Sequence, residues 1–215
     1  MIDNKTIYEK TTTDGRPYGK ITSMGVTRFK DTAAHLCRQS ESLLDVGCFS
    51  GEWLNYVTSK HPWIIKHLGI DVAQNKIDEG KRLFPQLNLQ CSYAEQLDLS
   101  AARFDIVTCL EVLEHIPDWQ RIFETLFKLA KRQVIITVPY RESILQTPCI
   151  HCGKLTPLYG HLRSYSEDDF LEVPGWKRSI TKLRDKRDKT LLRRIYRLVK
   201  PFYPWILINY RKIEM

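Results

Sequence analysis

The chain has 215 residues, 43% of them hydrophobic and 27% charged, with a formal net charge of +8. That length and balance fit one folded domain and exclude disordered, collagen-like and membrane-bundle compositions. Six cysteines are too few for a disulfide scaffold, no apolar run is long enough to span a bilayer, and residues 1–20 are polar, so a cytoplasmic protein is expected.

The charge is uneven. Residues 176–215 hold 13 Lys and Arg against 3 Asp and Glu, a net +10, whereas the remaining 175 hold 20 against 22, a net −2. A near-neutral body with a basic C-terminal segment invites an anionic partner such as nucleic acid or a lipid surface, or it presents a solvated basic face.

In chain order, a helix over 26–38 precedes apolar strands at 42–46, 66–70, 87–91, 104–110 and 133–138. Helical stretches at 51–60, 73–83 and 118–131 separate several of them. Continuous apolar strands alternating with helices predict a parallel sheet covered on both faces. Residues 139–165 show no clear periodicity and hold Pro, Cys, His and Gly, as expected of a functional or mobile connection. A short helix at 167–171, a strand at 177–183, an amphipathic helix at 190–202 and a strand at 205–210 follow. The late helix between two closing strands predicts an antiparallel hairpin at the sheet edge. The 190–202 helix places Arg193, Arg194, Arg197 and Lys200 opposite its apolar face.

Four motifs stand at the ends of successive strands. In Leu43–Glu52 (LLDVGCFSGE) a buried strand enters a turn containing Gly47 and Gly51 that opens a helix. It lacks the Lys-Ser/Thr ending of a phosphate loop. Asp71 closes the strand HLGID, 26 residues after Asp45, where a carboxylate can accept both hydroxyls of a ribose. Tyr93-Ala94-Glu95 follows the third strand, and FDIV leads into Glu111-Val112-Leu113-Glu114-His115 after the fourth.

On LLDVGCFSG, LGID, FDIVTCLEVLEHIPD and YGHLRSYS, from about residue 42 to 211, the chain resembles class I S-adenosylmethionine-dependent methyltransferases. The resemblance implies a Rossmann-like α/β fold with a seven-stranded, mostly parallel sheet, helices on both faces and an antiparallel last strand. It implies a single domain over 1–215, with 1–40 a lid and helix segment, 139–165 an active-face insertion and 176–215 a basic hairpin and helix. It places Asp45, Gly47, Cys48 and Gly51 around the methionine part of the cofactor and Asp71 on the ribose. Tyr93, Ala94 and Glu95 fall near the adenine, and Leu110 and Glu111 beneath the sulfonium. Phe49 replaces a usual glycine, and Tyr93 stands where many members have Asp, so it either stacks on the base or hydrogen-bonds to it.

For the transfer itself, His115, His161 and Glu114 are the candidate acid–base groups. Glu111, Glu114, His115 and His161 also resemble the metal-binding pattern of small-RNA 3′-end ribose methyltransferases. Some ubiquinone-pathway O-methyltransferases share the first three positions. Such a set suits magnesium, manganese or zinc, although E-V-L-E-H is common in metal-free members too. Cys149 and Cys152 make half a zinc knuckle without a second pair. The function expected is methylation, chiefly on oxygen, of a small-molecule, sugar or lipid-linked acceptor. The alternatives are RNA ribose 2′-O-methylation with a divalent metal and a non-catalytic binding module. Peripheral membrane contact through the basic segment is a further expectation.

Overall fold

The computed structural model describes residues 23–98, 103–149, 152–184 and 202–213. Helix α1 (Ser23–Ala33) leads to β1 (Ser42–Val46), then α2 (Glu52–Lys60), β2 (Lys66–Asp71), α3 (Gln74–Leu83) and β3 (Leu89–Cys91). Strand β4 (Phe104–Leu110), helix α4 (Trp119–Leu129) and β5 (Ala130–Pro139) complete the parallel part. Two short strands, β6 (Gln146–Pro148) and β7 (Leu155–Pro157), precede the closing pair β8 (Trp176–Leu183) and β9 (Trp205–Lys212).

The seven-stranded sheet has the order β3-β2-β1-β4-β5-β9-β8. Strands β1 to β5 pair in parallel, and β9 enters antiparallel between β5 and β8. The expected fold is therefore present, and the order reverses between β1 and β4, where ligands bind in such sheets.

Strand residues alternate between two cores. Leu43, Ile106, Ile135 and Leu207 face one layer with Trp53, Leu54 and Val57 of α2, Ile77 of α3 and Phe29 of α1. Leu44, Val107, Ile136 and Ile208 face the other, with Ile122, Leu126 and Leu129 of α4 and the aromatic side chains of Tyr165, Phe170 and Trp176. Every residue of β1 is buried, and its apolar residues Leu43, Leu44 and Val46 serve both layers, while Ser42 and Asp45 are buried polar residues.

Several boundaries differ from the sequence expectation. The helix expected to reach 131 stops at Leu129 because Ala130 pairs with Phe104 in the sheet. The helix expected at 167–171 is one 3-10 turn, Glu167–Asp169, closed by the Ser166 N–H and hydroxyl donating to Asp169. The first helix ends earlier than expected, at Ala33, and the third strand is shorter. The insertion contains a β6/β7 hairpin too short to show a period. The basic helix expected at 190–202 and the first 22 residues lie outside the described residues, Phe202 excepted. Among the described residues no helix is long and apolar enough to cross a membrane.

Candidate active site

The site starts where β1 ends. Gly47 has φ 75°, and the Gly47 and Cys48 N–H groups both donate to the Ile70 carbonyl, at 2.8 and 2.9 Å, which binds the turn to β2. A Cβ on Gly47 would stand 2.3 Å from Cγ2 of Val112, in a backbone conformation that L-residues rarely adopt. Gly47→Ala is accordingly expected to lower stability by about 2–3 kcal/mol, more than Gly51→Ala, as urea unfolding of both variants will show.

Phe49 occupies the position of the usual glycine and adopts φ 53°, so the glycine preference is met by strain. Its N–H donates to Asp71 Oδ2 at 2.9 Å, and the Lys76 ammonium lies 4.7 Å from its ring centroid. Asp71 Oδ1 accepts from the Ala73 N–H at 2.9 Å. Burial raises the Asp71 carboxyl, and the Ala73, Phe49 and Val72 N–H groups act against that rise. Each carboxylate oxygen keeps lone pairs beyond those bonds.

Asp45 lies beneath the turn. The Thr108 hydroxyl donates to its Oδ1 at 2.7 Å, and the Trp53 indole donates to the Thr108 oxygen at 3.1 Å. Burial pushes the Asp45 carboxyl up to about 7, helped by the negative charges of Asp71 and Glu52 and opposed by Thr108. The side chain of Cys48 turns into the core, its Sγ within 2.9 Å of where a Cβ on Gly69 would stand, and burial keeps the thiol protonated. Tyr93 is 43% exposed, while Ala94 is buried and opens a 3-10 turn. Glu95 is drawn toward Arg121, at 3.7 Å. A carboxylate suited to vicinal hydroxyls, a turn closed to a side chain at Gly47 and an exposed aromatic ring fit S-adenosylmethionine along these strand ends.

The second cluster stands at the ends of β4 and β5. Among the described residues, the non-glycine positions with positive φ are Phe49, Glu111, Arg141 and Tyr159. Phe49, Glu111 and Arg141 follow β1, β4 and β5, and Tyr159 precedes His161, so the strain gathers at one end of the sheet, as it does at functional sites. Glu111 follows Leu110, the last residue of β4, and its N–H donates to the Thr137 carbonyl at 2.9 Å. Its carboxylate pairs with Arg28 of α1 at 3.2 Å. Burial raises the Glu111 carboxyl, against the pull of Arg28.

His115 and His161, 46 residues apart, stand edge to face with ring centroids 4.8 Å apart. Backbone pairing explains the meeting. The Leu162 N–H donates to the Glu114 carbonyl at 2.8 Å, and the Arg163 guanidinium bonds the Ile116 carbonyl and, at 2.9 Å, that of Pro117. The segment HLR is thereby stitched alongside EHIP. His115 Nδ1 lies 3.3 Å from the Gly160 carbonyl. A carbonyl only accepts, so Nδ1 carries the proton and Nε2 the lone pair. Burial, with the His161 charge, lowers the His115 pKa to about 4, so the ring is neutral near pH 7.

Glu114 is fully buried, and neither carboxylate oxygen meets a hydrogen-bond partner. Burial, then the Glu111 charge, raises its carboxyl well above the ordinary range. One ligand atom each of Glu114, His115 and His161 lies within 4.8 Å of the others. A buried carboxyl without partners beside two imidazoles is a donor set that fits a divalent cation. Glu111, the fourth residue of the expected metal set, is engaged by Arg28 and is not part of this group. Neither Cys149 nor Cys152 belongs to a metal-capable group among the described residues. Arg28, Thr108 and Glu142 were not legible as site residues, because each belongs to a stretch whose pattern reports only helix, strand or loop.

A family model described as a methyltransferase domain matches residues 22–180. A ubiquinone biosynthesis O-methyltransferase of Coxiella burnetii is 35% identical over 122 residues, 54% of this chain and 51% of that protein. The chain thus spans about half the length of the curated relatives it matches. A plantazolicin methyltransferase, BpumL, in complex with a substrate analogue and SAH superposes with TM-score 0.64 at 15% identity, covering 88% of this chain and 85% of that one. The small RNA methyltransferase HEN1 gives TM-score 0.65 at 16% identity over 89% of this chain and 26% of that one. These two likenesses concern the fold. With the matched domain covering most of its length, the chain belongs to the class I S-adenosylmethionine-dependent methyltransferases.

Proposed function

We propose that this protein transfers a methyl group to a hydroxyl oxygen of a small-molecule, sugar or lipid-linked acceptor. The observation that carries the reading is the edge-to-face pair of His115 and His161 beside buried Glu114, at the strand ends that also hold Asp45 and Asp71. The curated relatives named as O-methyltransferases support oxygen as the acceptor atom. S-adenosylmethionine supplies the methyl on a positively charged sulfur. The chain binds the ribose through Asp71, shapes the turn through Gly47 and Phe49, and holds Glu111 in place through Arg28. An imidazole Nε2 lone pair of His161 or His115 accepts the acceptor's hydroxyl proton as the oxygen attacks. A purely binding module would have no need of that pair.

His161→Ala is expected to lower turnover about a hundredfold while cofactor affinity stays within twofold, measured by labelled methyl transfer to pooled metabolite, lipid and RNA extracts and by calorimetry. Unchanged turnover would remove the imidazole from the reaction.

A second reading is favoured by the Glu114, His115 and His161 group. Together they would hold a divalent cation, which when bound acidifies neighbouring hydroxyls, as suits a ribose end of RNA. Elemental analysis of the purified protein, with activity before and after a chelator, separates the two. The basic residues of 185–201, on which an RNA or membrane partner would rest, lie outside the described residues.

A further inference from the structure

We infer that Glu142 is a positioning residue for His161, fixing its tautomer and ring orientation so that Nε2 faces the reaction with a lone pair. The inference rests on the methyl-transfer reading for its consequence and on geometry for its substance. Glu142 lies three residues beyond the end of β5, and its Oε2 stands 2.5 Å from Nδ1 of His161. A carboxylate only accepts, so Nδ1 carries the hydrogen, and in the neutral ring Nε2 is left with the lone pair.

The neighbours hold both members of this pair. Arg141, next to Glu142, is fixed by its N–H donating to the Tyr165 carbonyl at 2.8 Å and by strained backbone at φ 48°. Tyr140 bridges to Tyr165 across the same two segments, so the chain leaving β5 runs beside the chain carrying His161. On the other side, the Leu162 and Arg163 bonds to the β4 loop fix His161 from behind. His161 is mostly buried, with its ring edge to face against His115, leaving little freedom to reorient except about the Glu142 contact. The same carboxylate–imidazole arrangement serves a base or a metal ligand equally, because both require an unprotonated Nε2.

The test separates this role from a simple tether. In protein labelled with ¹⁵N-histidine and bound to S-adenosylhomocysteine, His161 is identified by difference from His161→Gln, and its tautomer is read from two-bond proton–nitrogen spectra. The wild type is expected to show His161 protonated at Nδ1. Glu142→Ala is expected to mix or invert the tautomers and Glu142→Asp to restore Nδ1–H in part. Thermal melting and cofactor affinity, both expected unchanged, verify that each variant is folded. With a methylated acceptor in hand, kcat falls 10- to 100-fold in Glu142→Ala while KM stays within threefold. His161 protonated at Nε2 in the wild type, or an unaltered tautomer in Glu142→Ala, overturns the inference. A wild type that binds cofactor and methylates nothing, yet loses its Nδ1–H tautomer in Glu142→Ala, supports the positioning role and removes the transfer reading alone.

Discussion

Replacing Asp71 with alanine is expected to weaken binding of S-adenosylmethionine and S-adenosylhomocysteine by a hundredfold or more. Hydrogen bonds from two ribose hydroxyls to a charged carboxylate are each worth about 1.5–3 kcal/mol, so losing both spans that range. The effect has a second origin within the protein. Asp71 accepts from the N–H groups of Phe49 and Ala73, so its removal orphans donors on both sides of the crevice. Phe49, already at positive φ, then loses the bond that opposes its strain. Stability should therefore fall by about 2–4 kcal/mol without any ligand. Calorimetry and urea unfolding measure the two losses separately. Affinity retained within fivefold in a folded variant would place the ribose elsewhere.

Asp45→Asn is expected to act in opposite directions on stability and on cofactor binding. The Asp45 carboxyl is raised from 3.8 to about 7, chiefly by burial. A folded pKa above the unfolded one means the folded state holds the proton more tightly. That contribution to stability is complete below about pH 4 and is lost as pH rises through 7, a span of roughly 3–4 kcal/mol. Asparagine cannot ionise, and its carbonyl still accepts from Thr108. The ligand-free variant should gain about 2 kcal/mol over wild type at pH 8 and nothing at pH 5. The cofactor, being positively charged, favours the ionised aspartate beneath the turn, so wild-type affinity should fall as pH drops below 7. In the variant that pH dependence should flatten and affinity should fall at least tenfold. Unfolding curves and titrations at pH 5, 6, 7 and 8 decide it. A variant equally destabilised at every pH would mean that Asp45 is not held in a proton-binding environment.

Much of the site was legible because its parts are local. A turn needing positive φ selects glycine, so Gly47 and Gly51 stand out after β1, and Asp71 stands out as a carboxylate closing β2, with a ribose role that the family resemblance implies. Cys48 shows where spacing fails. It lies between two turn residues, yet its side chain fills the space above Gly69, which no pattern along one strand reports. Phe49 shows the reverse, since strain lets a bulky residue stand where the pattern asks for glycine.

By itself the sequence indicated the strands of the main sheet and their mostly parallel arrangement, because doubly buried strands and tight turns restrict residue types within a few positions. Tertiary structure alone decided which polar residues share a site. Glu111 was aligned with Glu114 and His115 by sequence, but its carboxylate pairs with Arg28 and is not among the atoms that cluster as a metal-capable group. His161 was matched to His115, but Arg163 and Leu162 bonding to the β4 loop is what brings the rings together. Glu142 gave no signal, because a carboxylate in an aperiodic connection acquires its role only from what the fold sets 2.5 Å away. Such contacts depend on the path of the chain between strands, and backbone hydrogen bonds that any residue can make fix that path.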